Sequence, residues 1–98
     1  MATKELVETS IANNKVMVFS KSSCPYCRKA KALLQSYNVA FEAIEIDTRE
    51  DGSEIQGYLL SKTGQRTVPN IFIGQKHIGG CDDLHAVHNK GELKQLLA

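Results

Sequence analysis

Two cysteines separated by two residues are the side chains of this sequence best suited to chemistry. They lie in the segment 24–27 (CPYC), which follows the apolar run 16–19 (VMVF) and opens a stretch with helical periodicity. A cysteine at a strand-to-helix junction has its sulfur beside the unpaired N–H groups and the positive end of the helix dipole, which favour the thiolate. Because the thiolate is the form that attacks disulfides, the spacing predicts thiol-disulfide chemistry.

Activation of Cys24 requires more than the helix dipole. An ordinary thiol has a pKa of about 8.5, and each unit of lowering takes about 1.4 kcal/mol of thiolate stabilisation. The dipole contributes about 0.3 to 1 kcal/mol at an exposed helix end, whereas hydrogen bonds to a charged acceptor contribute roughly 1.5 to 3 kcal/mol each. We therefore expect further donors: the backbone N–H groups of Tyr26 and Cys27, the Cys27 thiol and the Lys21 ammonium.

The two thiols are predicted to have different roles. Cys24 lies nearer the open end of the helix and is expected to attack, while Cys27 lies one turn inward on the apolar face and is expected to resolve the mixed disulfide. Two other interpretations stay open. In the first, both cysteines are reduced core residues. In the second, they form half of a zinc site, and Cys81, His85 or His88 would complete the ligands.

Length and charge limit the classes of function. The 98 residues, 42% of them hydrophobic, are expected to form one domain spanning 1–98 with a modest core. The net charge of +1 indicates neither a nucleic-acid nor an anionic-membrane partner, and no apolar run approaches the roughly 20 residues that cross a bilayer. Three cysteines are an odd count, and two of them are only three positions apart, which fits a catalytic or metal-binding use in a reducing compartment better than a secreted disulfide framework. We therefore expect a cytoplasmic protein, and import after removal of a presequence stays open. Nothing suggests an obligate interface, so a monomer is expected.

The first half of the chain predicts a strand-helix-strand unit. A helix over 3–13, with Thr3 as its N-cap, precedes a strand over 16–19 that is apolar enough to be central in a sheet. A second helix over 25–36 turns its apolar residues inward and its basic residues, Arg28, Lys29 and Lys31, outward. A strand over 41–46 follows and should lie parallel to the first, which places the cysteines at the carboxyl edge of the sheet.

The second half predicts a helix, a hairpin and a further helix. Asp51 and Glu54 have the spacing of a capping box, and Gly64 is expected to end that helix. Strands over 70–73 and 76–78 are separated by a two-residue turn, which is typical of an antiparallel hairpin. Asp82 or Asp83 then caps a helix, and 92–97 adds a last helical turn. The prediction is an α/β fold of order α-β-α-β-α-β-β-α, with a four-stranded mixed sheet flanked by helices.

Three segments resemble the signature segments of dithiol glutaredoxins, in the same order and spacing: 20–27 (SKSSCPYC), 64–70 (GQRTVPN) and 79–83 (GGCDD). The similarity extends over nearly the whole chain. It implies a thioredoxin-like fold and a glutathione-dependent thiol-disulfide oxidoreductase that reduces glutathione mixed disulfides and low-molecular-weight or protein disulfides. It also implies a redox-active disulfide between Cys24 and Cys27. Ser23 departs from the aromatic residue or threonine found before the nucleophile in many members, which bears on substrate preference.

The resemblance also implies a groove for glutathione, the expected co-substrate. A cis proline, Pro69, would face the nucleophile, so that the backbone of Val68 pairs with the cysteinyl part of the tripeptide. Lys21 and Gln56 would meet the glycyl carboxylate, and Cys81 and Asp82 would meet the γ-glutamyl end. Tyr26 would line the groove beside the sulfur. Thr67 and Gly80 complete the expected set. Arg66 is either a further carboxylate ligand or a solvated loop charge.

The partners that the resemblance implies are glutathione, glutathionylated or disulfide-containing proteins and, indirectly, glutathione reductase. No metal is expected. One alternative within the resemblance is an iron-sulfur carrier, in which Cys24 from two protomers and two glutathiones hold a bridging cluster. Pro25 argues against this alternative, because cluster-binding members commonly have a smaller residue at that position.

Overall fold

Four strands and five α-helices make up residues 2–98, which is the part of the chain that the computed structural model describes. The strands are β1 (Val16–Ser20), β2 (Glu42–Glu45), β3 (Asn70–Ile73) and β4 (Lys76–Gly79). The helices are α1 (Ala2–Asn13), α2 (Pro25–Ser36), α3 (Gly52–Thr63), α4 (Cys81–Asn89) and α5 (Leu93–Leu97), and a 3-10 turn covers Ile46–Thr48. None of these helices combines the length and the apolar character needed to cross a bilayer.

The sheet has the strand order β2-β1-β3-β4 and is mixed, as predicted. Strand β1 is parallel to β2 and antiparallel to β3, and the β3–β4 hairpin is antiparallel. All five residues of β1 are buried, which confirms its central position. The start of α2 therefore lies at the carboxyl edge of the sheet, directly after the most buried strand.

Helices cover both faces of the sheet because the side chains of β1 alternate between them. Val16 and Val18 pack into one core with residues of α2, α4 and α5, whereas Met17 and Phe19 pack into a second core with residues of α1 and α3. Burying a side chain of this size contributes about 1.5 to 3 kcal/mol relative to leaving it exposed. Strand β1 thus anchors both layers, and α2 is held over one of them by buried Leu34.

The starts of two helices differ from the predictions because the expected capping side chains form hydrogen bonds with other residues. Helix α1 already includes Ala2, so Thr3 is not its N-cap; the Thr3 hydroxyl donates to Glu54 instead, at 3.1 Å. Asp51 makes no capping hydrogen bond to α3, because its carboxylate accepts two hydrogen bonds from Arg49. The predicted capping box is therefore wrong, while the predicted end of α3 at Gly64 is confirmed by a left-handed φ of 79°.

Three further predictions are corrected, at β2, at α4 and at Lys31 of α2. Strand β2 spans only Glu42–Glu45, because β1 ends at Ser20 and offers no partner beyond the Ser20–Glu45 pair. Helix α4 begins after Gly80, whose N–H donates to the Asp83 carboxylate at 2.9 Å, so neither aspartate is the N-cap residue itself. Lys31 does not point into solvent as predicted but forms an ion pair with Glu45.

We expect Gly52→Ala to destabilise the fold. An added Cβ would lie 1.8 Å from the backbone oxygen of Ile46, so the start of α3 must move away from the 3-10 turn. Overpacking of this kind costs typically about 1 to 3 kcal/mol, which should lower the urea midpoint. Gly57→Ala is the matched control: nothing lies within 4 Å of its added Cβ, and alanine is favoured in helices by roughly 0.5 to 1 kcal/mol. Equal midpoints for the two variants would contradict the prediction.

Candidate active site

The Cys24 sulfur occupies the N-cap position of α2. Cys24 has extended backbone angles (φ −88°, ψ 118°), and its sulfur accepts a hydrogen bond from the backbone N–H of Cys27 at 3.4 Å. Pro25 stands at the first position of the helix, where its missing N–H is not needed. The Cys24 N–H donates to the carbonyl oxygen of Lys21 at 3.2 Å, which closes the turn between β1 and α2. The predicted strand-to-helix junction is confirmed.

Opposing effects set the pKa of Cys24. Burial raises it, but hydrogen bonds from the Cys27 side chain and from the backbone N–H groups of Cys27 and Tyr26, together with the charge of Lys21, lower it. The donors outweigh burial, so the pKa of Cys24 lies below that of an ordinary cysteine. This direction agrees with the donors expected from the sequence, and Cys24 is partly accessible to substrates.

Cys27 is perturbed in the opposite direction. Its side chain is fully buried, and burial raises the pKa of the thiol to about 11, with a contribution from the neighbouring Cys24. Hydrogen bonds from the Lys21 backbone and the Ser20 side chain lower the pKa of Cys27 but only partly offset burial. At neutral pH the pair therefore consists of a reactive sulfur at the surface and a protonated thiol beneath it.

A cavity of about 400 Å³ opens beside Cys24 and collects most of the expected groove residues. The Cys24 sulfur lies 3.9 Å from the carbonyl oxygen of Val68, and the Val68–Pro69 bond is cis. The start of α4 also lines this cavity. The expected residues that line this cavity are Tyr26, Thr67, Val68, Pro69, Gly80, Cys81 and Asp82.

The other two expected residues line a second cavity of about 580 Å³. Lys21 and Gln56 are found here with Arg66, which directly precedes Thr67 of the first cavity. The Gln56 Nε2 donates one hydrogen to the carbonyl oxygen of Arg66 at 2.9 Å and retains a second, while its Oε1 is buried without a hydrogen-bond partner among residues 2–98. Two cations and an amide donor therefore meet at this end of the site.

The structure adds residues that the sequence did not single out. Gln65 lines the first cavity, and its Nε2 donates to the carbonyl oxygens of both Thr67 and Pro69 at 2.9 Å, which braces that wall. Asp47 accepts hydrogen bonds from the backbone N–H and the hydroxyl of Ser22, which hold the loop before Cys24 and keep the pKa of Asp47 below its usual value. No local pattern predicts either residue, because their hydrogen-bond partners lie in irregular segments.

Cys81 is not a second activated thiol. It is buried at the first position of α4, and burial raises its pKa, with a contribution from Asp82. Its sulfur lies 3.4 Å from Nδ1 of His85, which also lies 2.9 Å from the Cys81 carbonyl oxygen. Within residues 2–98 no three His, Cys, Asp or Glu side chains are grouped so that they could hold a metal ion, so the zinc alternative has no ligand set there.

Comparison with known proteins identifies the family. The family model described as Glutaredoxin matches residues 16–78. This chain belongs to the glutaredoxin family. A glutaredoxin from Ricinus communis is 55% identical over 95 residues, which cover 97% of this chain and 89% of that protein.

Solved glutaredoxin structures also match over nearly the whole chain. The crystal structure of a buckwheat glutaredoxin-glutathione complex has a TM-score of 0.96 at 43% identity, covering 98% of this chain and 87% of that one. The crystal structure of a wheat glutaredoxin has a TM-score of 0.92 at 52% identity, and the match covers 99% of this chain and 89% of that one. The thioredoxin-like fold and the oxidoreductase class predicted from the sequence are confirmed.

The opposite pKa shifts predict opposite alkylation profiles. We expect half-maximal reaction of Cys24 with iodoacetamide below the pH of about 8.5 that an ordinary thiol requires, because a lowered pKa keeps the thiolate present at lower pH. Cys27 and Cys81 should require higher pH, since burial raises their pKa values. Mass spectrometry of alkylated peptides measures all three sites in one sample. A midpoint near 8.5 for Cys24 would show that its donors do not outweigh burial.

Proposed function

We propose that this glutaredoxin uses glutathione as co-substrate and that Cys24 is its nucleophile. The observation that carries the proposal is the asymmetry of the pair: the Cys24 sulfur accepts the Cys27 N–H at a helix N-terminus, while the Cys27 thiol is fully buried. Substrates can reach the Cys24 sulfur, whose pKa is lowered, whereas the buried Cys27 thiol, whose pKa is raised, does not take part in the first attack. The structure of the buckwheat relative as a glutathione complex supports the choice of co-substrate.

The proposed reaction proceeds through a mixed disulfide. The Cys24 thiolate attacks the glutathione sulfur of a glutathionylated protein, and the protein thiol leaves with the electron pair of the broken S–S bond. A second glutathione then attacks the Cys24-glutathione disulfide and releases glutathione disulfide. With a protein disulfide as substrate, Cys27 instead attacks Cys24, forms the Cys24–Cys27 disulfide and releases the reduced protein.

The two cavities provide complementary charges for the ends of glutathione. Lys21, Gln56 and Arg66 in the second cavity suit the glycyl carboxylate, since two are cations and the third has a free amide hydrogen. At the other end, the N-terminus of α4 after Gly80 suits the γ-glutamyl carboxylate, and the exposed Asp82 carboxylate suits the ammonium.

The wall between these ends would hold the middle of the tripeptide. The Val68 carbonyl oxygen lies 3.9 Å from the Cys24 sulfur, so a cysteinyl backbone paired with Val68 has its own sulfur beside Cys24. Thr67 and Pro69 flank Val68 on this wall, Tyr26 covers the opening, and Cys81 takes part through its backbone. Each of these residues thus has a proposed place along one extended ligand.

The proposed setting is a reducing compartment, the cytoplasm, in which the chain acts as a monomer. All three cysteines are free thiols in the structure, and a glutathione-dependent cycle needs glutathione reductase to reduce the glutathione disulfide it forms. Glutathionylated and disulfide-containing proteins are the proposed macromolecular substrates. The iron-sulfur alternative gains no support, because Pro25 opens α2 directly beside Cys24.

Cysteine variants test the proposed division of roles. In a glutathione-coupled disulfide reduction assay, Cys24→Ser should reduce turnover to the uncatalysed background, because the only accessible thiol of lowered pKa is lost. Cys27→Ser should retain reduction of a glutathione mixed disulfide within a few-fold, because a second glutathione can complete that cycle, and should lose the route through the Cys24–Cys27 disulfide. Equal loss in both variants would show that the mixed-disulfide route through Cys24 alone is wrong.

The proposed contact between the Asp82 carboxylate and the γ-glutamyl ammonium can be tested by substitution of Asp82. We expect Asp82→Asn to raise the KM for a glutathione mixed disulfide about tenfold, which corresponds to roughly 1.4 kcal/mol, close to the lower limit for a hydrogen bond to a charged group. An analogue lacking the γ-glutamyl amino group should show the same KM with both proteins. Glu92→Gln, at an exposed site outside both cavities, is the control variant. An equal rise for both substrates would contradict the assignment.

A further inference from the structure

The segment between β1 and α2 carries a cation that acts at two places in the site. This segment, 21–23 (KSS), is exposed at every position and belongs to neither a strand nor a helix. Its first residue, Lys21, lines the second cavity, and the charge of Lys21 also lowers the pKa of Cys24. Because a lysine side chain is long and flexible, its ammonium stays near both only if the backbone that carries it is held in place.

Asp47 holds this segment from another part of the chain. The backbone N–H of Ser22 donates to Oδ1 of Asp47 at 3.0 Å, and the Ser22 hydroxyl donates to Oδ2 at 2.6 Å. Both carboxylate oxygens are therefore engaged by the residue that directly follows Lys21. The Lys21 carbonyl oxygen in turn accepts the N–H of Cys24 at 3.2 Å, so the backbone is fixed on both sides of this turn.

The residue that holds the segment is itself firmly attached to the fold. Asp47 is the middle residue of the 3-10 turn Ile46–Thr48, and Ile46 is buried in one of the two cores. The start of α3 packs so closely on this turn that a Cβ at Gly52 would lie 1.8 Å from the Ile46 oxygen. The position of the connection between β2 and α3 thus determines where Ser22 is held.

Asp47 fixes the segment without neutralising its cation. Lys21 forms no ion pair with any of the residues 2–98, although its charge lowers the pKa of Asp47. The titratable and charged groups that act on Cys24 are Cys27 and Lys21, and the one that acts on Asp47 is Lys21. Because Ser22 occupies both Asp47 oxygens, the Lys21 ammonium remains available to an anionic ligand and to the Cys24 thiolate.

We propose that Asp47 is a positioning residue that acts through Ser22 to hold Lys21 in place for Cys24 and for the second cavity. The inference rests on the proposed function in one respect, which is the contact of Lys21 with the glycyl carboxylate of glutathione. It requires no direct contact between Asp47 and the ligand, since both Asp47 oxygens are hydrogen-bonded to Ser22.

Steady-state kinetics with a glutathione mixed disulfide provide the first test. Lys21→Met should raise KM about tenfold, because the ligand carboxylate loses a charged donor. Asp47→Ala should raise KM about fivefold, and no more than Lys21→Met does, because release of the segment weakens the Lys21 contact without deleting it.

The conservative variant Asp47→Asn separates the hydrogen bonds of Asp47 from its charge. Its amide oxygen can accept the Ser22 N–H and its amide nitrogen can donate to the Ser22 hydroxyl, so the segment should stay in place. We expect its KM to be no higher than that of the wild type. A rise in Asp47→Asn equal to that in Asp47→Ala would overturn the positioning role.

A double-mutant cycle tests whether Asp47 acts through Lys21. In a Lys21→Met background, Asp47→Ala should change KM by less than about twofold, because no cation is left to position. A general loosening of the fold would raise KM by the same factor in both backgrounds, and that result would overturn the inference. Glu50→Ala removes an exposed carboxylate outside both cavities and should keep the wild-type KM, as the matched control.

Alkylation of Cys24 with iodoacetamide provides a measurement that needs no glutathione. Asp47→Ala should raise the pH of half-maximal reaction, because Lys21 is no longer held near the thiolate. Loss of a carboxylate charge near a thiol can by itself only lower that pH, so the sign of the shift distinguishes displacement of Lys21 from removal of the Asp47 charge. Asp47→Asn should not raise it. An unchanged or lower midpoint in Asp47→Ala would contradict the inference.

These measurements also separate the inference from the proposed function. If Lys21→Met leaves KM unchanged, the contact of Lys21 with the glycyl carboxylate is wrong, whereas a raised alkylation midpoint in Asp47→Ala still supports the positioning role. If Lys21→Met raises KM and Asp47→Ala does not, the contact with glutathione stands and the role of Asp47 is wrong.

Discussion

The hydrogen bond from the Cys27 backbone to the Cys24 sulfur constrains the whole site. The Cys24 sulfur accepts the N–H three residues on because Cys24 caps α2, and the helix therefore begins shortly after the end of β1. The buried face of α2, which includes Cys27 and Leu34, then holds the helix on the sheet. Because residues i and i+3 differ in depth at a helix N-terminus, the same geometry that exposes one thiol buries the other.

The size of the individual effects explains why the thiolate depends on several segments. The dipole of α2 supplies less than one pKa unit by itself, and burial acts against it. Hydrogen-bond donors from the first residues of α2 must overcome that burial, together with the charge of Lys21 in the segment before the helix. Removing water from the site therefore has opposite consequences for the two sulfurs: Cys24 has the donors that compensate for burial, and Cys27 has too few.

The parts of this fold that follow from the sequence are those set by local periodicity. The apolar run of β1, the stripe of α2, the hairpin turn and the cysteine spacing are local, and the glutaredoxin resemblance supplied the groove residues. Side chains with several available partners were mispredicted: Asp51 bonds Arg49 and not its own helix, and Lys31 reaches Glu45. The Ser20–Glu45 pair depends on the register of two strands separated by a helix, which no local pattern encodes.

The distribution of these groups separates reactivity from recognition. The cysteine pair and its hydrogen-bond donors are contributed by the start of α2, whereas the walls of the two cavities come largely from the segment before β3, the start of α4 and the first turns of α3. Tyr26 and Lys21 act on Cys24 and also line a cavity. Gln65 braces one wall through the carbonyl oxygens of Thr67 and Pro69 without touching either cysteine. A substitution in a wall therefore changes which disulfide is held beside Cys24, while a substitution among the groups that lower the pKa of Cys24 changes how readily its sulfur attacks.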